Sequence, residues 1–178
     1  DDFYAPVFEL PAINQNNAIF TLETFQPCEA LIIMFLANHC PYVKHIISAV
    51  VQLTQTMQND QIKFAAIMSN DVRKYPADHP RKMKEFSENE NFNFPYLYDE
   101  TQKIAKTYNA QCTPEFFIFN ASNKCTYHGC FDLSSPGNNI QPTGSHLEKA
   151  IHSCLKSEAI PLEQQNPSIG CSIKWNES

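Results

Sequence analysis

The amino-acid sequence predicts an α/β fold: a central mixed sheet flanked by helices, with a β-hairpin extension at the N-terminus. Three observations lead there. Ala30–Leu36 (ALIIMFL) and Ile62–Met68 (IKFAAIM) are unbroken apolar runs of strand length, the pattern of strands buried on both faces. Between them, Val43, Ile46, Ile47, Val50, Leu53 and Met57 form one apolar stripe on a helix. A strand, a helix and a second strand joined this way make a βαβ unit with parallel strands. The third observation is the pair of short alternating segments before this unit and the strand pair after it, which read as hairpins.

The elements follow in order. Phe8–Pro11 and Ala18–Phe25 flank Asn14-Gln15-Asn16-Asn17 and form the N-terminal hairpin. After the βαβ unit, Val72–His79 is polar and broken by proline, hence a loop. Pro80–Asn91 is a charged helix that turns Met83 and Phe86 inward. Phe94–Tyr98 is extended. Asp99–Tyr108 is a helix with Asp99 as its N-cap. Glu115–Phe119 is a strand that pairs as a hairpin with Cys125–Phe131. Gly144–Lys156 is the last helix, with Cys154 facing in. The segment from Ser157 lacks a regular period, yet it holds Ile169, Cys171, Ile173 and Trp175. That much apolar area predicts a tail docked on the body. The expected division is therefore a domain over 1–156 and a docked extension over 157–178.

With 178 residues and 43% hydrophobic content, the chain is long enough for one domain with a sizeable core. Its net charge of −6 and lack of a basic run argue against a nucleic-acid surface. No apolar stretch reaches the length of a membrane span. The seven cysteines are an odd number, so at least one is unpaired, and a core-rich chain needs no disulfide framework. The expected compartment is reducing, the cytoplasm. The chain opens at Asp1-Asp2 without Met, and removal of a leader would instead place it in the periplasm or outside the cell.

The candidate site lies where the first buried strand hands over to the helix. Ala37-Asn38-His39 turns the chain, and Cys40-Pro41 opens the helix, proline being favoured at the first helical position. Free backbone N–H groups and the positive end of the helix dipole are expected to face the sulfur. A thiol in that setting ionises more readily, and the thiolate is the reactive form. Asn70-Asp71 ends the second strand on the same edge, where α/β folds collect their chemistry. Asp71 reads mainly as a turn cap. Cys125 and Cys130 lie on opposite faces of a regular strand, and with His128 they are badly phased for a metal, so no metal and no cofactor is expected.

Five segments occur in order: NHCPYVK at Asn38, an Asn70-Asp71 followed by Tyr75-Pro76, FPYLYDE at Phe94, CTPEFF at Cys112 and PSIGCSIKW at Pro167. Together they resemble the thioredoxin superfamily, in the alkyl hydroperoxide reductase/thiol-specific antioxidant (peroxiredoxin-like) branch. The resemblance implies a thioredoxin-like fold with Cys40 as nucleophile, and Pro114 as a cis-proline facing it. It implies a substrate surface at His39, Pro41, Thr113 and Pro114, with the Thr113 backbone free to pair with an extended substrate. Val43 stands where the resolving cysteine of thioredoxins falls. The resolving thiol is then Cys112, the first candidate, or Cys171, or an external thiol such as glutathione. Cys171 reads chiefly as a packing residue. The implied activity is thiol–disulfide exchange, with protein or small-molecule thiols and disulfides as partners. Two other readings stay open: a thiol peroxidase, and a thioredoxin-fold binding module without turnover. Against the peroxidase, peroxiredoxins carry a Pro, a Thr or Ser and an Arg where this chain has Ile33, Ala37 and Pro114.

Overall fold

The computed structural model describes residues 2–177. The two apolar runs are the centre of a seven-stranded mixed sheet. Strands β1 (Glu9–Ala12) and β2 (Ala18–Thr21) form the N-terminal hairpin; β3 is Ala30–Phe35 and β4 is Ile62–Met68. Helix α1 (Pro41–Met57) crosses between β3 and β4, which pair in parallel from Ala30 opposite Ile62 to Phe35 opposite Ile67. Helix α2 is Pro80–Asn89, β5 is Tyr96–Tyr98 and α3 is Lys103–Thr107. The short strand β6 (Cys112–Thr113), then β7 (Glu115–Asn120), β8 (Cys125–Gly129), α4 (Ser145–Leu155) and β9 (Cys171–Ser172) complete the chain. The sheet order is β2-β1-β5-β4-β3-β7-β8, with β4 and β5 parallel and β3 and β7 antiparallel.

Both faces of this sheet are covered, which explains why β3 and β4 are apolar without alternation. One face packs Ile32, Met34, Phe64 and Ala66 against α1 and α4; the other packs Leu31, Ile33, Ala65 and Ile67 under α3 and the N-terminal hairpin. The stripe expected on α1 is buried at every named position.

Two elements differ from expectation. The extended segment after Thr21 is a 3₁₀ turn over Leu22–Phe25, closed by a capping box between Thr21 and Thr24. The helix expected from Asp99 starts only at Lys103, because Gln102 takes a left-handed conformation (φ 65°) and is itself the N-cap position. Asp99 still serves the helix: its carboxylate accepts the N–H groups of Ile104 and Ala105. No helix is long and apolar enough to cross a membrane among the described residues.

The tail returns across the sheet's carboxyl edge. β9 pairs with β6 in a separate antiparallel two-strand unit, Cys112 opposite Ser172 and Thr113 opposite Cys171. Ile173 is 3% exposed and enters the core beneath α3, whereas Ile169 is 71% exposed.

Candidate active site

Cys40 is the N-cap residue of α1, with Pro41 at the first helical position and φ/ψ of −83°/122°. It is 4% exposed. Its sulfur is turned away from the helix, 3.3 Å from the Thr113 carbonyl oxygen and 2.7 Å from the sulfur of Cys171. All seven cysteines are free thiols. A disulfide needs about 2.05 Å between sulfurs, so closure asks for a movement of well under one ångström.

This geometry alters two sequence expectations. The Cys40 side chain accepts none of the free N–H groups of α1; that of Tyr42 reaches the Cys171 sulfur instead. The reason is the extended backbone at Cys40, which aims its Sγ across the edge toward β6. The Thr113 backbone, expected to be free for an extended substrate, is already paired with Cys171. Gly170 allows this close approach. A Cβ there would stand 2.0 Å from the Thr113 carbonyl oxygen and 3.2 Å from Pro114 Cδ.

One S–H on Cys40 cannot serve both Thr113 and Cys171. The Cys171 thiol is pushed up to about 11, first by burial, then by its hydrogen bond to Cys40 and the charge of Cys40; the Tyr42 N–H and Lys174 act in the opposite direction.

The other expected site residues are placed as follows. Pro114 follows a cis peptide bond. Thr113 is buried, and its hydroxyl has no hydrogen-bond partner. His39 and Pro41 are exposed at the rim. Cys112 makes no hydrogen bond to Cys40: its sulfur lies 3.7 Å from Glu115 Oε1 and 3.9 Å from the carbonyls of Pro114 and Ser168. Burial, and after it the Glu115 carboxylate, push this thiol up to about 12. Of the candidate thiols, Cys171 is the one whose sulfur lies within hydrogen-bond distance of Cys40.

Glu115 fixes the loop that carries Thr113 and Pro114. One carboxylate oxygen accepts the N–H groups of Gln111 (2.8 Å) and Cys112 (3.0 Å); the other pairs with His128. Burial alone would raise this carboxyl, but His128 and the two backbone donors outweigh it and hold it below the ordinary carboxylate value. His128 therefore supports a carboxylate, and Cys130 turns to His146 instead, 3.5 Å away.

Sequence reasoning missed the anchorage of both cysteines. The active-site loop is held by Asn38, whose backbone N–H donates to Asp78 (2.9 Å) and whose side-chain Oδ1 accepts the Tyr96 hydroxyl (2.8 Å). The tail is held by Asn70, Asp71 and Gln102 around Lys174. The signal was present in Gly170-Cys171, a glycine beside a cysteine in an apolar tail.

A sheet of this order, with a cysteine at the α1 amino end opposite Thr113-Pro114, defines the class: a thioredoxin-like protein. The AhpC/TSA family model matches residues 4–128, and the chain belongs to the AhpC/TSA family. Among solved structures, an uncharacterized conserved protein from Geobacillus kaustophilus is 44% identical with a TM-score of 0.94, over 99% of this chain and 93% of that one. A hypothetical protein from Sinorhizobium meliloti is 34% identical with a TM-score of 0.95, over 99% and 95%. A thiol:disulfide interchange protein of the thioredoxin family from Chlorobium tepidum shares the fold at 16% identity and a TM-score of 0.67, over 87% and 97%. No curated protein sequence matches the chain.

Proposed function

We propose that the protein is a thiol–disulfide oxidoreductase in which Cys40 is the nucleophile and Cys171 the resolving thiol. The observation that carries this reading is the 2.7 Å approach of the two sulfurs. The Cys40 thiolate attacks one sulfur of a substrate disulfide. A Cys40–substrate disulfide forms, the substrate's own S–S bond breaks, and the departing thiolate takes a proton from water. Cys171 then loses its proton and attacks Cys40 Sγ. The Cys40–Cys171 disulfide forms and the second substrate thiol leaves. The substrate gains two electrons, and the protein dithiol loses two.

Thr113 and Pro114 frame the attack. In the thiol form the Cys40 S–H donates to the Thr113 carbonyl, which keeps the sulfur in line with the tail, and Gly170 lets the tail lie against them. With Cys40 only 4% exposed, a bulky substrate reaches it when the tail parts from Thr113, and the return of the tail brings the resolving thiol. Cys112 has no role in this sequence. External thiols such as glutathione then restore the dithiol.

The test is equilibration with mixtures of reduced and oxidised glutathione, acid quench and peptide mapping by mass spectrometry. A Cys40–Cys171 disulfide is the expected product. A Cys40–Cys112 disulfide, or a glutathione adduct on Cys40 that never resolves, would overturn the assignment.

A further inference from the structure

Cys40 and Cys171 are 131 residues apart in sequence, and neither is rigidly placed by its own element. Cys40 is at a loop–helix junction, and Cys171 is in a two-residue strand. Something else must fix their separation. Asn38, two residues before Cys40, donates its N–H to Asp78 Oδ1 at 2.9 Å. Asn70 donates its side-chain amide to Asp78 Oδ2 at 3.0 Å. The carbonyl oxygen of that same Asn70 amide accepts the N–H of Lys174, three residues after Cys171, at 2.9 Å. Three hydrogen bonds therefore run from the nucleophile's loop to the tail.

The chemistry of each link is specific. Asp78 is 0% exposed, and no Lys or Arg pairs with it among the described residues. A buried carboxylate without a cation needs oriented N–H donors, and its two oxygens take them from two different segments. Asn70 has to donate on one side and accept on the other. Of the side chains of its size only a carboxamide does both. Asp at this position would set two carboxylates face to face.

We propose that Asn70 and Asp78 are positioning residues that set the tail's register against the active-site loop, and so the distance between Cys40 and Cys171. The proposal rests on the assignment of those two cysteines as a redox pair, and it has a readout independent of that assignment. Each bond in the relay is a buried one of ordinary strength, and Asn70→Ala removes two of them.

The experiment has two arms. In the first, the Cys40–Cys171 equilibrium is measured against glutathione in the full chain. Asn70→Ala is expected to lower the equilibrium constant for disulfide formation about tenfold, a potential about 30 mV more oxidising. A folded variant with an unchanged potential would overturn the proposal. In the second arm Cys40 is replaced by Ser and the alkylation rate of Cys171 is followed. Asn70→Ala is expected to raise it several-fold, and no change would sink the relay. If the unaltered chain never forms the disulfide, the redox assignment fails, and the second arm still decides the relay. Lys174→Pro removes the last N–H of the relay from the tail side and leaves the body intact. It is expected to reproduce both effects should Asn70→Ala fail to fold.

Discussion

Replacing Gly170 by Ala adds one methyl group at the closest point between tail and body. That Cβ would stand 2.0 Å from the Thr113 carbonyl oxygen and 2.7 Å from the Thr113 carbonyl carbon. Ordinary contact requires about 3.5 Å, so the tail must move outward by roughly 1.5 Å. Both obstructing atoms are backbone in a loop tied to Glu115, so the tail yields rather than the body. Misplacing a reacting group by about 1 Å costs on the order of 10²-fold in rate. The assay starts from Cys40 loaded with glutathione and follows release of glutathione as Cys171 closes the disulfide. Gly170→Ala is expected to slow closure about 10²-fold. Alkylation of reduced Cys40 should accelerate at the same time, because its cover has lifted. Loosening the burial of Ile173 would contribute about 1.5–3 kcal/mol to the stability cost. A closure rate equal to that of the unaltered chain would refute the claim that the tail–Thr113 contact sets the sulfur–sulfur distance.

Three further outcomes are expected. Cys112→Ala should leave Cys40–Cys171 closure unchanged, and in the unaltered chain Cys112 should alkylate last of the site thiols at pH 8, because burial pushes it up to about 12; peptide mapping reads both. Closure should speed up as pH rises from 7, because Cys171 must lose its proton before it attacks and burial pushes its thiol up; quenched-flow mass spectrometry measures the slope. Stability should fall as pH rises from 9 toward 12, because Cys112 and Cys171 ionise at the ordinary value of 9.0 in the unfolded chain but keep their protons in the folded one; urea midpoints against pH test this, and Cys112→Ala should flatten the fall.

The parts of the fold that were legible are those whose pattern follows from burial. The runs at Ala30 and Ile62 and the stripe on α1 are apolar because both sheet faces are covered, and the observed bounds agree closely with the expected ones. The junction at Cys40-Pro41 was legible because proline at the first helical turn is a local signal. What failed was non-local. The start of α3 depends on Gln102, which reaches the Ser69 and Lys174 carbonyls and the Asn176 N–H. Those partners lie on other segments, and no propensity encodes them. The sulfur that neighbours Cys40 is likewise set by distant segments. Cys112 was favoured because it adjoins Pro114 in sequence, yet its side chain turns to Glu115. Cys171 meets Cys40 only because β9 pairs with β6, a pairing of two residues on each side, too short to leave a period in the sequence.

The peroxidase reading can be separated from disulfide exchange by what surrounds Cys40. Reduction of a peroxide breaks its O–O bond, and the departing oxygen takes up negative charge. Rate then depends on donors aimed at that oxygen, each worth about 10²–10³-fold. Ile33 and Ala37, where peroxiredoxins place Pro and Thr or Ser, are buried apolar residues, and Pro114, in place of Arg, has neither N–H nor charge. The groups that do touch the Cys40 sulfur are a carbonyl oxygen and a second sulfur. The carbonyl only accepts hydrogen bonds, and a thiol is a weak donor. Cys40 is therefore expected to react with hydrogen peroxide no faster than a simple thiolate at the same pH, while its exchange with a small disulfide is assisted by Cys171. Stopped-flow measurement of both reactions in one preparation gives the ratio directly. Peroxide oxidation of Cys40 at 10³-fold above a free thiolate would mean that an oriented donor acts at the site. The Thr113 hydroxyl, buried and unpartnered, would be the group to replace first, since Thr113→Val keeps its shape and removes its proton.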